Sequence, residues 1–480
     1  MVEAYRDDTG RPKQRTVATF GRLDQLGDSI KSMHEGLSRL LGVDGAPAAG
    51  SGAPQFESSR ALGDVWVLTQ IWKQLGLDRL RRVLKQRTRH RIDLEALLRV
   101  MVINRLCDAD SKLGTLRWIK TVSLPETDLD AINHQQLLRT MDALLEHQEV
   151  IDQVLADAVR PLVSEDLSVV FYDMTTIRAE GLSETDEEIR QFGKSKEGGL
   201  ARQFMLGLVQ TAEGIPLYHE VFPGNTAEVG TLKSSLLKVL ERFPIKRVIA
   251  VADRGLLSLD NLETLQKIVL PSGAPLEFIL AVPGRRYNEF ADLLAPFNQR
   301  VQHAEEPDIV GEEQWNNLRL VVAHNRYRAA EQTAQRDASI ALDGKLLLVT
   351  NTEDLKASEV IARYKSLADI ERGFKMLKSD IEIGPVYHRL PDRIRAHAYI
   401  CFIALVLARV MRERLYQNPV PDICSPERAL SILRRIQTHQ VTFEGQAPIT
   451  GISAIDAEQA AILASLKVKK PLTDLAYVNL

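Results

Sequence analysis

Two short apolar segments that each end on a carboxylate constrain this chain more than any other feature. Leu167-Ser-Val-Val-Phe-Tyr-Asp173 stays apolar for the length of a strand and stops at Asp173; Arg247-Val-Ile-Ala-Val-Ala-Asp253 does the same and stops at Asp253. Such runs fit strands buried on both faces of a sheet. Phe204 to Gln210 and Ile215 to Phe222 form two more strands around a Glu213-Gly214 turn, so the first three make an antiparallel meander. A helix is expected near Ala227 to Phe243. A second helix, capped by Ser258, follows Asp253, and a fifth strand covers Glu277 to Pro283.

Three strands, helix, strand, helix, strand is the order of a ribonuclease-H-like sheet, in which the first and fourth strands are neighbours. The expected fold class is α/β: a ribonuclease-H-like mixed sheet core, with an N-terminal helical DNA-binding region and C-terminal helices. In that arrangement Asp173 and Asp253 can share a divalent cation, and Glu371, inside a helix expected over Ser358 to Lys378, completes the set. Carboxylates are the right ligands for a hard cation such as Mg²⁺. Two such ions about 3.5–4 Å apart activate a water or 3′-hydroxyl and stabilise the leaving oxygen of a phosphodiester. On one continuous helix, Tyr364, Leu367, Glu371 and Lys378 fall within an arc of about 60°. Ile370, Phe374 and Leu377 make the adjacent packing stripe. The plainer alternative is that Glu371 pairs with Lys375 or Lys378 on a solvated face.

Residues 1–41 are expected to form a basic hairpin, with a Thr9-Gly10 turn followed by Arg11, Lys13 and Arg15, and then a helix; Met1 stands close to the first strand. Residues 42–55 are rich in Gly, Ala, Pro and Ser and form a flexible linker. Residues 56–165 show helical spacing. The core runs over 166–415, with a polar, mixed stretch at about 284–344 and a strand at 345–351, and 416–480 are short helices. The chain has 61 Lys and Arg against 64 Asp and Glu, a net charge of −3. An even positive coat is therefore excluded, and a nucleic-acid partner needs a local basic patch. Arg79 to Arg91 supplies one, with seven Lys and Arg and no acid. Arg81, Arg82 and Lys85 are its candidate phosphate contacts; a solvated helix face is the alternative. Cys107, Cys401 and Cys424 lie far apart with no Cys-x2-Cys pair, which argues against a disulfide framework or a Cys-rich zinc site and suits a reducing cytoplasm. No stretch in residues 1–30 has signal-peptide character. The apolar run Tyr399 to Ala408 is too short to span a bilayer and is expected to be a buried core helix, so no membrane partner is expected.

Tyr364-x2-Leu367-x3-Glu371-x6-Lys378 resembles the Y-x2-R-x3-E-x6-K signature of bacterial insertion-sequence DDE transposases, matching three of its four positions. Phe171-Tyr-Asp173-Met-Thr-Thr, Gly193-Lys194-Ser195-Lys196, Phe222-Pro-Gly224-Asn225-Thr-Ala-Glu228, Ala252-Asp253-Arg254-Gly255 and Pro385-Val-Tyr-His388 agree with it, as does the opening Tyr5-Arg6 to Gly21. The resemblance covers about 167–415 and implies a ribonuclease-H-like catalytic core with a β-rich insertion, for which about 284–344 is the matching location. It implies Mg²⁺-dependent cutting at element ends and strand transfer, with Mn²⁺ as a substitute ion. It implies double-stranded DNA partners (terminal inverted repeats and target DNA), a homodimer in the synaptic complex, and work in the cytoplasm at the bacterial nucleoid. Asp173, Asp253 and Glu371 become the metal-binding triad. Tyr364 and Lys378 hold the phosphate backbone. Leu367 departs from the family's Arg and cannot grip a phosphate bidentately; Arg363 or Arg372 is the substitute, and Lys375 lies on the same helix. Trp315, in the insertion, is the candidate to stack on a flipped base, with an ordinary packed Trp as the alternative.

Gly193-Lys194-Ser195 lacks the first glycine of a P-loop, because position 188 is Glu188. Lys194 and Lys196 are instead candidate DNA contacts. Arg254 is expected to meet either the site's acids or a phosphate. Three rivals stand beside a transposase. A catalytically inactive transposase-derived DNA-binding protein would bind ends without cutting. A structure-selective nuclease on the same fold would cut without joining. An enzyme acting on a small phosphate ester lacks a phosphate-cradling loop here.

Overall fold

The computed structural model describes residues 2–6, 12–16, 55–163, 169–181, 189–194, 199–226, 231–243, 247–252, 259–270, 273–327, 329, 344–443 and 448–471. The basic hairpin is present: strand β1 (Val2–Arg6) pairs antiparallel with β2 (Pro12–Thr16). The helix expected after the hairpin and residues 42–54 of the linker lie outside the described residues.

The chain divides into two compact units. The larger comprises Trp72–Ala109 and Gln135–Val410. It opens with helices α1 (Arg79–Arg87), α2 (Leu94–Cys107), α3 (His134–Glu146) and α4 (Gln148–Val159). Its sheet is built on β4 (Val169–Arg178), with β5 (Gln191–Lys194), β6 (Leu200–Thr211) and β7 (Pro216–Pro223) on one side. On the other side, β8 (Ile249–Ala252) and β9 (Glu277–Ala281) run parallel to β4. The meander pairs antiparallel, and helices α5 (Thr231–Arg242) and α6 (Leu259–Gln266) make the crossovers. All four residues of β8 are buried, as a strand covered on both faces requires. This is the ribonuclease-H-like order expected from the sequence.

The insertion prolongs that sheet. After helix α7 (Ala295–His303), β10 (Asp308–Trp315) and β11 (Leu318–Asn325) form a hairpin. It is joined through β12 (Lys345–Thr350) to β9, every pair antiparallel, giving nine strands among the described residues. Helices α8 (Ala357–Lys365), α9 (Ala368–Ser379) and α10 (Pro391–Gln417) follow. α10 is long and apolar enough to cross a bilayer by length and composition. However, 94% of its most apolar stretch is buried inside the protein, as expected of a core helix.

The second unit comprises Met1–Ile71, Asp110–His134 and Met411–Leu480. Here the structure corrects two local expectations. Residues 55–61 begin the supposed helical region as a strand, β3 (Gln55–Ala61). The tail, expected to be helical, contributes β13 (Gln437–Thr442) and β14 (Ile449–Ile452). β13 pairs antiparallel with both partners. His439 is buried at its centre between the hydroxyls of Ser59 and Ser453, each 2.9 Å away. The exposure of β3 alternates residue by residue, but its partner lies far along the chain, so local periodicity could not reveal the pairing.

Candidate active site

Asp173 owes its position to where β8 ends. The parallel ladder between β4 and β8 closes at Tyr172 opposite Ala252. Asp173 is therefore the first residue of β4 beyond its neighbour, and Asp253 is the next residue in the chain after β8. Asp253 and Arg254 themselves lie outside the described residues. Asp173 is half-buried, and its Oδ1 accepts the Met174 amide at 2.7 Å.

Glu371 is exposed on α9, the helix that packs over β4 and reaches β6 at Gly373. Phe374, Met376 and Leu377 are buried beneath it, while Glu371, Arg372 and Lys375 face outward. Gly373 sets the approach. A Cβ there would lie 3.2 Å from Arg409 Nη2, 3.3 Å from Gln210 Oε1 and 3.6 Å from Leu208 Cδ2. Leu208 is the residue directly opposite Asp173 in the ladder between β4 and β6. The helix carrying Glu371 thus crosses the sheet at the level of Asp173. Gly373→Val should push α9 outward and slow DNA cutting by roughly 10- to 100-fold, because misplacing a reacting group by about 1 Å costs that much. Cleavage and DNA-binding assays on the same preparation check this; unchanged cutting would show that this packing does not set the position of Glu371.

The single helix expected over Ser358 to Lys378 is two helices. The turn at Ser366-Leu367 separates α8 from α9, with the Leu367 amide bonded to the Tyr364 carbonyl at 2.9 Å. The common stripe therefore holds for Glu371 and Lys378, two turns apart on α9, while Tyr364 sits on α8. Tyr364 and Lys378 are half-buried. Leu367 is buried, so the position that the family's signature gives to Arg is a core position here.

In the basic run, α1 carries Arg81, Arg82 and Lys85 on its exposed face, with Leu80 and Leu84 buried. Arg81 pairs with Asp93 at 2.9 Å and Glu95 at 3.4 Å, so its charge is partly balanced. Glu95 is buried against Arg99, and burial raises its carboxyl despite that cation. A cavity of about 190 Å³ opens beside them, with Arg81, Lys85, His90 and Arg91 around Leu84 and Leu94. Trp315 is half-buried and packs edge-on against Phe290, centroids 5.1 Å apart. Lys194 is the last residue of β5, and Lys196 lies outside the described residues.

Sequence patterns did not reveal a buried polar cluster. Asp152 on α4 accepts from Arg242 Nη2 at 2.7 Å and from the Tyr399 hydroxyl. His219 stacks on Phe402 (4.4 Å) and Tyr399 (4.9 Å) beside it, and burial, helped by the Arg242 charge, pushes its pKa down to about 3. Four separate segments supply these residues, so no local motif announces them. Among the described residues, no three His, Cys, Asp or Glu side chains come close enough to hold a metal ion.

The sheet order defines a ribonuclease-H-like core. A family model described as the transposase DDE domain matches residues 164–407, just over half of the chain. A second, the N-terminal domain of IS1634 family transposases, matches residues 1–47. The chain belongs to the insertion-sequence DDE transposases and is a DNA transposase. Among solved structures it is similar to a piggyBac transposase synaptic complex with hairpin DNA, at a TM-score of 0.42 and 7% identity, covering 77% of this chain and 78% of that one. No curated protein matches it.

Proposed function

We propose that this transposase cuts DNA at the ends of its insertion sequence and transfers the freed strands to target DNA. The feature that best supports this is the placement of Asp173 where β8 runs out, at the level crossed by the helix carrying Glu371. Asp173, Asp253 and Glu371 would hold divalent metal, Mg²⁺ or Mn²⁺. The donor set fits, since all three are carboxylates, and the two described ones are half-buried or exposed. When bound, such ions polarise the phosphodiester and lower the pKa of the attacking water or 3′-hydroxyl. The protein's own part is positioning and electrostatics. Tyr364 and Lys378 would grip the backbone near the cut, with Arg372 and Lys375 on the same face of α9. Because Leu367 is buried, this chain would rely on Arg372 where its relatives use the signature Arg. Arg82, Lys85 and the cavity beside them would contact phosphates away from the cut, with Arg81 partly committed to Asp93 and Glu95. The domain roles (hairpin and helix at 1–41, linker at 42–55, DNA-binding helices from 56 to 165, core at 166–415, tail at 416–480), a synaptic homodimer and work at the bacterial nucleoid belong to the same proposal.

The test incubates the protein with its gene's own flanking inverted repeats and a target plasmid, with Mg²⁺ and with EDTA. The expected result is nicking at the repeat and joined products, both lost with EDTA. Nicks without joining would favour a structure-selective nuclease. Binding without nicking would favour a catalytically inactive derivative.

A further inference from the structure

The ladder between β4 and β6 runs from Val170 opposite Thr211 to Arg178 opposite Gln203. Beyond it β6 continues to Leu200, paired on its other edge with β5: Gln191 opposite Gln203, Phe192 opposite Arg202, Lys194 opposite Leu200. The base of this ribbon is anchored. The Gln203 side-chain amide donates to the Gly224 carbonyl at 3.0 Å, and the Gly224 amide to the Ile189 carbonyl at 2.9 Å. Its outer part carries unusual residues. Phe192 is 60% exposed and Leu200 75% exposed. By register, both lie on the same face as Arg202, whose guanidinium sits 5.2 Å above the Phe192 ring. An exposed apolar edge ribbon invites aggregation, and natural proteins normally blunt such edges with charge.

Building on the DNA-transposase reading above, we propose that this ribbon is a DNA wedge, with Phe192 and Leu200 inserting between base steps from the minor groove and Arg202 beside them in the groove. Apolar wedges flanked by Arg are the chemistry by which proteins unstack and kink a duplex from that side. The occupant follows from charge and place. Arg202 on the ribbon complements a polyanion, with its Nη1 donating to the neutral Gly181 carbonyl at 3.1 Å, while Arg178 at the base, 68% exposed, has its charge paired with Glu180 at 2.8 Å. β6 is also the strand directly paired with the one that carries Asp173. Leu200 stands eight residues along β6 from Leu208, the partner of Asp173, so the tip lies about 26 Å beyond that level at ~3.3 Å per residue. At ~3.4 Å per base step, the kink falls roughly eight base pairs from the cut.

The test measures binding to two labelled duplexes of unrelated sequence, about 30 base pairs long, one fully paired and one with a two-base central mismatch that makes unstacking cheap. Wild type should prefer the mismatched duplex by about 10-fold. Phe192→Ser with Leu200→Ser should lose that preference while keeping the fully paired duplex within about threefold, because phosphate contacts supply non-specific binding. Both positions are exposed, so the melting temperature should stay unchanged. Phe192→Trp should retain the preference and show indole quenching on the mismatched duplex. Equal binding of both duplexes by wild type, or a preference retained by the double variant, overturns the wedge alone. No binding of either duplex overturns it together with the DNA-binding reading.

Discussion

Asp173→Asn is expected to bind element-end DNA within about twofold of wild type and to cut it on the order of a thousandfold more slowly, the scale set by losing one preorganised electrostatic contribution at a phosphoryl-transfer site. The substitution isolates charge. Asn has the same size and its amide oxygen can still accept the Met174 amide that Asp173 Oδ1 accepts now, so the strand should keep its shape. What disappears is an anionic oxygen at the point where β8 stops and β4 continues. Glu371→Gln should behave alike, because the carboxylates are proposed to act as one unit, and the double variant should be little worse than either single one. Nicking of labelled end DNA under single-turnover conditions measures this. An Asp173→Asn enzyme that cuts at near wild-type rate would remove Asp173 from the chemistry, whatever happens at Glu371.

The core was legible because buried parallel strands leave an unmistakable trace. Val169 to Tyr172 and Val248 to Ala252 are apolar throughout, and their order against the other strands leaves few topologies open. The same trace suggested that the strand stops at Asp173, but β4 runs on to Arg178 through its pairing with β6, so Asp173 stands within the strand, just past the end of its ladder with β8. Pairings between distant segments were not legible. β3 meets β13 across most of the chain, and its alternating, largely polar residues resemble a helix surface as much as a strand. The break at Ser366-Leu367 was hidden for another reason. Neither residue breaks helices, and the Leu367 side chain turns into the core there, so an arc drawn on one continuous helix put Tyr364 with Glu371 when they lie on successive helices. The ribbon's wedge residues escaped notice because Phe192 and Leu200 look like core residues until the register puts them outside.

Arg242→Ala is expected to destabilise the larger unit by about 3 kcal/mol at pH 8, because it leaves a buried carboxylate without its cation. Asp152 is 8% exposed and holds Arg242 at 2.7 Å, with the Tyr399 hydroxyl on its other oxygen. Burial already raises the Asp152 carboxyl above its ordinary range, against the pull of Tyr399 and Arg242; losing the cation raises it further. A carboxyl raised in the native state binds more protons folded than unfolded, so its contribution to stability is full below the unfolded pKa and falls as pH rises through the folded one. The variant suffers this over a wider range than wild type. His219 acts in the same direction. Its pKa is depressed by burial and then by the Arg242 charge, so the unfolded chain gains a proton below about pH 6.5 that the native ring refuses. Without Arg242 that acid penalty shrinks. Both shifts make the gap between variant and wild type widen towards pH 8 and narrow towards pH 5. Thermal unfolding across that range measures it, and Asp152→Asn added to Arg242→Ala should recover at least half of the loss at pH 8. A gap that stays constant with pH, or no recovery in the double variant, would mean that Arg242 stabilises through its packing over the Tyr218 ring, 5.1 Å from its centroid, and not through the charge of Asp152.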